Sequence, residues 1–325
     1  MAGSDQLKSL IRAYGEGDED RFFATAMQIA ASEARQGHTA FAQDLKLLIE
    51  KARKDRSLSF VSNTKTVSIS APKRELDELI EVFQPRIKLI DMALAASVKQ
   101  SLDKLIVEQK KWEILKKHQL SPRRKLLLLG PPGTGKTMTA QAIAGELGMV
   151  VYIIRLDGLM SKYLGESIAK LRLIFDAMQS HRAVYLFDEF DSIGSHRNQG
   201  QDVGEMKRVL NSFLINIEKD QSNSIIIAAS NLPDALDKAL FRRFDDVITY
   251  PLPDKDQVVE IIKKITRGFS FSKRVDLQKL AATAKGLSYS DIAKACGQSI
   301  KDMILNGDEK LDVEQFRNAL LRRHS

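Results

Sequence analysis

From Asp5 to Arg56 apolar positions recur at helical spacing, with breaks at Gly15–Asp18 and Gly37–Thr39. The pattern predicts three helices, at about 5–14, 18–36 and 39–56. Gly15 and Gly37 suit helix ends and Asp18 suits an N-cap, because glycine tolerates a left-handed backbone and a short carboxylate can accept from a free helical N–H. Phe22, Phe23, Ala26, Met27, Ile29 and Ala30 form the apolar stripe of the middle helix. Ser57–Ala71 then alternates polar and β-branched residues (Val61, Thr64, Thr66, Val67, Ile69), which reads as an extended linker or one short hairpin and marks a domain boundary. A charged helix is expected over about Lys73–Phe83, ending near Pro85, and a longer one over about Ala93–His118 before Pro122 stops it.

Past Pro122 short apolar runs alternate with helical stretches. The runs Lys125–Leu129, Val150–Arg155, Ala183–Phe187, Ser224–Ala229 and Val247–Tyr250 read as strands. This alternation predicts an α/β fold: a parallel sheet with helices on both faces. After Pro251–Asp254 the pattern is helical only, near 255–267, 276–285, 289–305 and 312–323, which predicts a separate helical lid. The expected divisions are an N-terminal helical domain at 1–57, a linker with a short β segment and helix at 58–86, a large α/β subdomain at 87–250 and the lid at 251–325.

Composition narrows the functional classes. The 325 residues are 43% hydrophobic, ordinary for a globular chain. The longest apolar runs, such as Leu126–Leu129 and Ile225–Ala229, fall far short of the roughly 20 residues that cross a bilayer, so no membrane partner is expected. MAGSDQLKSL lacks the layout of a secretory signal, which makes the cytoplasm the expected location. Cys296 is the single cysteine and falls in an apolar helical pattern with Ile292, Ala295 and Ile300, so it reads as a core side chain. Five scattered histidines offer no Cys/His metal cluster. The net charge of +8 and pI of about 9.3 admit an acidic partner, DNA included, but the basic residues lie mostly among acidic ones.

The sharpest chemistry lies between the first apolar run and the helix after it. Gly130, Pro131, Pro132, Gly133, Thr134, Gly135, Lys136 and Thr137 read GPPGTGKT, a phosphate-binding loop; Met138 follows in the helix and completes the expected nucleotide-binding set. Three glycines let backbone N–H groups point at phosphate oxygens, and the helix dipole adds positive potential. Lys136 can reach the β- and γ-phosphates and Thr137 can offer its hydroxyl to Mg²⁺. About fifty residues on, Ala183–Phe187 ends in Asp188 and Glu189, two carboxylates where a strand's carboxyl end faces nucleotide.

GPPGTGKT, LFDEFD and the stretch IIIAASNLPDALDKALFRRFDDVITYPLPD over Ile225–Asp254 together resemble the AAA ATPases, a P-loop NTPase family, with the last stretch similar to its second region of homology. The resemblance covers about Lys125–Arg323, with a looser lead-in from about Ile87. It implies binding and hydrolysis of ATP to ADP and phosphate, with Asp188 holding Mg²⁺ beside Thr137 and Glu189 polarising the attacking water. It implies that Asn231 senses the γ-phosphate. Arg242 and Arg243 match the consecutive arginines that relatives such as katanin and spastin insert into a neighbouring subunit's site, which implies a homo-oligomer, a hexameric ring by the family's habit. Ser161–Ser167 resembles the first pore loop, with Tyr163 as its gripping aromatic; Asp191 and Arg197 match the pattern after the second motif, and Ser195–Gly204 would be a second pore loop. In the lid, Lys285–Ile292 resembles the family's glycine-containing segment that packs against adenine: Gly286 would permit the close approach, and Leu287 and Ser288 would flank the base. The usual glycine-bearing form is absent around Ile90–Ala93, which stays unassigned.

Three uses of ATP remain open on the sequence. A ring could remodel or thread a protein partner, as Tyr163 and the arginine pair suggest. It could instead act as a regulatory switch on a separate effector, such as a subtilisin-like protease or a nuclease in bacterial plasmid maintenance or defence. It could also act on DNA as a loader or helper, although no helix-turn-helix or aromatic-basic strip is visible.

Overall fold

The computed structural model of the chain describes residues 19–35, 37–38, 42–49, 79–159, 166–194, 202–273 and 275–324. It divides into two compact units, residues 1–66 and 67–325. In the first, α1 (Glu19–Arg35) and a second helix, α2, at residues 42–49 are seen, and Ala26 and Ile49 form a small apolar contact with Leu45 beside it. Ala26, Ile29 and Ala30 are buried as the stripe predicts, but Met27 is exposed. The helix expected at 5–14 and the linker expected at 57–71 lie outside the described residues.

The second unit carries a six-stranded sheet in the order β1-β3-β4-β5-β2-β6. Its strands are β1 (Ile80–Phe83), β2 (Lys125–Leu129), β3 (Val151–Ile154), β4 (Val184–Phe187), β5 (Ile225–Ser230) and β6 (Asp246–Thr249). β2 to β6 run parallel, and their near-continuous apolar runs match burial on both faces. Because side chains alternate along a strand, Leu127, Leu129, Tyr185 and Phe187 enter one core with α6 (Glu166–Ser180) and α7 (Asp202–Lys219). Leu126, Leu128, Val184 and Leu186 enter the other, with α3 (Ala96–Lys110) and α5 (Lys136–Leu147). On the first side Phe213 packs edge-on to Phe187 at 5.0 Å between ring centres.

Two expectations are corrected. The segment expected as the end of a helix over Lys73–Phe83 is a strand at Ile80–Phe83, antiparallel to β3 with Ile80 opposite Ile154. The sheet is therefore mixed, with one antiparallel edge. Four residues are too few to tell the two periods apart, and pairing with the open edge of β3 decides the matter. The helix expected over Ala93–His118 is two, α3 and α4 (Trp112–Lys117), joined at Lys111. α3 buries Val98, Leu102, Leu105 and Ile106, whereas α4 buries nothing, so the chain leaves the helix axis where core contact ends.

The lid comprises α9 (Lys255–Ile265), α10 (Leu277–Ala282), α11 (Tyr289–Asn306) and α12 (Val313–Leu321), numbered after the one-turn α8 (Lys238–Phe241). Asp254, Asp276, Ser288 and Asp312 each cap a helix with a side-chain oxygen, worth about 1 kcal/mol apiece. Val258, Ile262, Ile292, Cys296 and Phe316 meet in its core, where burial pushes the Cys296 thiol up to about 12.

Candidate functional site

β2 delivers the phosphate-binding loop to the carboxyl edge of the sheet, between β5 and β6, and α5 leaves from it. At Gly130 (φ 147°) a Cβ would lie 2.3 Å from the Tyr250 carbonyl oxygen, and at Gly133 (φ 75°) it would lie 2.5 Å from Ser288 Oγ. Only glycine satisfies both the backbone angle and the space at these points. Thr134 Oγ1 donates to the Pro131 carbonyl (2.8 Å), bracing the turn from within. Met138 is 40% exposed in the first turn of α5.

Lys136 is buried, its Nζ donating to the carbonyls of Gly130 (2.7 Å) and Pro131 (2.9 Å). Burial lowers its pKa, while the negative charges of Asp188 and Asp191 oppose the shift. Thr137 Oγ1 donates to Asp188 Oδ2 at 2.6 Å, so the last residue of the loop and the first carboxylate after β4 meet as the spacing predicts. The backbone N–H of Glu189 donates to Asp188 Oδ1 (2.9 Å). Glu189 itself has φ 49°, a left-handed conformation that costs a non-glycine residue about 1–3 kcal/mol. The turn is held by Phe190 N–H donating to Ala229 O (2.8 Å) and Ser192 N–H to Glu189 O (2.9 Å). Backbone strain at the second carboxylate is something sequence reasoning could not reach.

Asp191 organises the next strand end. Its Oδ1 accepts from Ser230 Oγ and from the Asn231 backbone N–H, both at 3.0 Å. Asn231, half-buried, is thus fixed beside the Asp188–Glu189 turn. The sequence pattern included Asp191 without showing this purpose.

The lid reaches the loop at Gly133, where Ser290 N–H donates to Gly133 O at 3.0 Å. Ser288 exchanges hydrogen bonds with Asp291 as the cap of α11 while its hydroxyl lies against Gly133. Gly286 has a φ of 89°, which favours glycine, and a Cβ there would meet no atom of the chain within 4 Å. Leu287 turns into the lid core rather than toward the loop. Of that trio only Ser288 lies at the phosphate-binding loop. Thr139, on α5, shares a buried hydrogen bond with the Tyr250 hydroxyl (2.8 Å), tying the loop's helix to the residue that follows β6.

Arg242 and Arg243 follow α8 and are exposed; Arg243 Nη2 pairs with Glu218 Oε2 on α7 at 3.1 Å. Tyr163, Arg197 and most of the segment expected as a second pore loop lie outside the described residues.

The assembled site is a glycine-lined cradle, a buried ammonium, a hydroxyl and two successive carboxylates at a strand end, a constellation suited to binding and hydrolysing a nucleoside triphosphate. Residues 126–252 match the model of the ATPase family associated with various cellular activities (AAA). An uncharacterized AAA family ATPase of Sinorhizobium fredii, y4kL, is 32% identical over 320 residues, 98% of this chain and 95% of that protein. Protein SAV of Sulfolobus acidocaldarius is 37% identical over 66% of this chain and 28% of its own length. The ATP-dependent zinc metalloprotease FtsH of Rhodothermus marinus is 35% identical over 61% of this chain and 29% of its own length. Among the described residues no group of three or more His, Cys, Asp and Glu could hold a metal ion, and no helix is long and apolar enough to cross a membrane. With a family-model match over the nucleotide-binding unit and a relative aligned almost end to end, the chain belongs to the AAA family and is an ATP hydrolase.

Proposed function

We propose that the chain is one subunit of an ATP-driven ring, a hexamer, that remodels or threads a protein partner. The observation that carries this reading is the placement of the cations: Lys136 is buried in the chain's own loop, whereas Arg242 and Arg243 are exposed after α8. A guanidinium offers a fixed fork of N–H groups to phosphate oxygens, so an exposed pair suits a neighbour's nucleotide. Lys136 and the loop N–H groups bind the phosphates, Glu189 accepts the proton of the attacking water, and Asn231 positions that water. Thr137 and Asp188 provide a hydroxyl and a carboxylate 2.6 Å apart, hard oxygen donors of the kind Mg²⁺ takes while keeping several waters. When bound there, Mg²⁺ would supply positive charge to the phosphate oxygens, and chelation should abolish hydrolysis.

The test is complementation between two inactive forms. Glu189→Gln keeps the arginines, and Arg242→Ala/Arg243→Ala keeps the carboxylate. If the arginines act in trans, the mixture hydrolyses ATP faster than either form alone. A mixture no more active than its components, or a parent whose specific activity does not rise with protein concentration, counts against the ring. Tyr163→Ala should abolish partner processing, and unchanged processing would remove the threading role.

One observation favours the second reading, a switch acting on a separate effector. Residues 1–66 form their own compact unit, and α2 exposes Leu47 and Leu48. In that scheme residues 1–57 contact the effector, 58–86 link to the ATPase subdomain at 87–250, and the lid at 251–325 reports nucleotide state. A co-purifying protein lost on deleting residues 1–57, with no processing of it by the intact chain, would favour the switch.

A further inference from the structure

The segment between β1 and α3 lies as a strap along the helix that leaves the phosphate-binding loop. Near the far end of α5, a Cβ on Gly145 would sit 2.2 Å from the Ile87 carbonyl oxygen, so strap and helix are in backbone contact there. Leu89 and Met92 are buried with Ala140, Ile143 and Ala144 of α5. At the loop end, Met92 Cε lies 3.3 Å from the place a Cβ on Gly135 would take. The strap thus runs the length of α5 and ends over the loop itself. A single turn at Leu89–Asp91 is closed by Lys88 N–H donating to Asp91 Oδ2 (2.8 Å), by Asp91 N–H donating to the Lys88 carbonyl (3.0 Å) and by Met92 N–H donating to the Leu89 carbonyl (3.2 Å).

Packing holds that turn on one side, because Leu89 and Met92 are buried against α5 while Ile90 between them is 78% exposed. A lid side chain fastens the other side. Lys264, in the last turn of α9, donates through Nζ to the carbonyls of Ile90 (2.9 Å) and Met92 (2.7 Å), and Glu260 Oε1 lies 2.8 Å from the same nitrogen. An ammonium has three N–H donors, and these three oxygens match them. Ala93, the next residue, packs against the lid core.

We propose that Lys264 is a positioning residue for ATP binding: it fastens the end of the strap to the lid and so sets the spacing between lid and phosphate-binding loop. The inference rests on the ATPase reading of the loop and adds to it a residue that no sequence motif marks. Charge-assisted bonds to two backbone carbonyls are stronger than neutral ones, but Lys264 is about a third exposed, so solvent screens part of their strength. Loss of the clamp acts on binding before chemistry, because Glu189, Asp188 and Lys136 lie on other segments.

The experiment compares Lys264→Met and Lys264→Arg with the parent, each as the full chain. Lys264→Met keeps the aliphatic stem and removes the donors. It should raise KM for ATP about tenfold with kcat changed less than twofold, and Lys264→Arg, which retains several N–H donors, should recover most of the affinity. Placing Lys264→Met in a Glu189→Gln background reads the dissociation constant for a fluorescent ATP analogue without turnover, where the same tenfold weakening is expected. KM and analogue affinity at parental values in Lys264→Met would overturn the proposal. So would a loss of kcat that tracks a lower melting temperature of the nucleotide-free protein and is not rescued by arginine, since that is mere structural damage. A parent that binds the analogue but hydrolyses no ATP would instead sink the ATPase reading, leaving the analogue-affinity comparison to judge the clamp.

Discussion

Two helical glycines should respond in opposite directions to the same substitution. Gly145 in α5 and Gly297 in α11 are both interior to helices, where glycine to alanine gains about 1 kcal/mol from backbone entropy and propensity. At Gly297 a Cβ would meet nothing within 4 Å, so the full gain should appear. At Gly145 the new carbon would stand 2.2 Å from the Ile87 carbonyl oxygen, and that strap carbonyl must retreat by nearly an ångström. Overpacking of this kind costs about 1–3 kcal/mol, and a backbone carbonyl yields less readily than a side-chain tip. The propensity gain offsets part of the cost, leaving Gly145→Ala destabilised by up to about 2 kcal/mol. For a unit of this size each kcal/mol moves the midpoint by about 2–4 °C. Circular dichroism melts should therefore show Gly297→Ala raised by about 2–4 °C and Gly145→Ala lowered, with urea midpoints moving likewise. If both variants melt higher than the parent, the strap yields without cost and the close contact has no energetic meaning.

Other expectations follow from buried groups. Asp220 has a fully buried side chain and accepts from Arg124 through its carboxylate and its backbone carbonyl, and from Gln179 and Ser222. Asp220→Ala should cost about 3–5 kcal/mol in chemical denaturation because Arg124 is left half-buried without a carboxylate, and Asp220→Leu/Arg124→Met should be milder than either single change; equal costs for all three would refute this. Cys296, with its thiol pushed up to about 12, should resist a disulfide reagent at pH 8 and react fully in denaturant, so rapid native labelling would contradict the lid core. Burial raises the phenol pKa of Tyr185 and Tyr250 well above the ordinary value near 10. A folded pKa above the unfolded one gives stability that is whole below about pH 10 and is lost as pH rises toward the folded value. Absorbance of tyrosinate should show these phenols titrating only with alkaline unfolding; titration near pH 10 in the native state would disprove it. Tyr250→Phe removes one buried hydrogen bond to Thr139 and should cost about 1 kcal/mol in a urea melt, and no change would imply that the bond contributes nothing.

The parallel strands, the phosphate-binding loop, the carboxylates at 188 and 189 and the four lid helices were legible because each is written locally. Period and flanking glycine or proline lie within one segment, and Gly130–Thr137 or Pro251–Asp254 marks the change of element without reference to the rest of the chain. Four-residue Ile80–Phe83 was illegible because its period is ambiguous and its strand character comes from β3, some seventy residues later. The break at Lys111 carries no proline or glycine; it marks where α3 stops touching the core. Asp191 holding Ser230 and Asn231, Arg243 meeting Glu218, and Lys264 gripping the carbonyls of Ile90 and Met92 were equally invisible. By itself the sequence determined the family chemistry and the elements that carry it. Only the tertiary structure decided how the strap, the lid and the loop are fastened together, because a backbone carbonyl has no identity in the sequence and its partner is chosen by the fold.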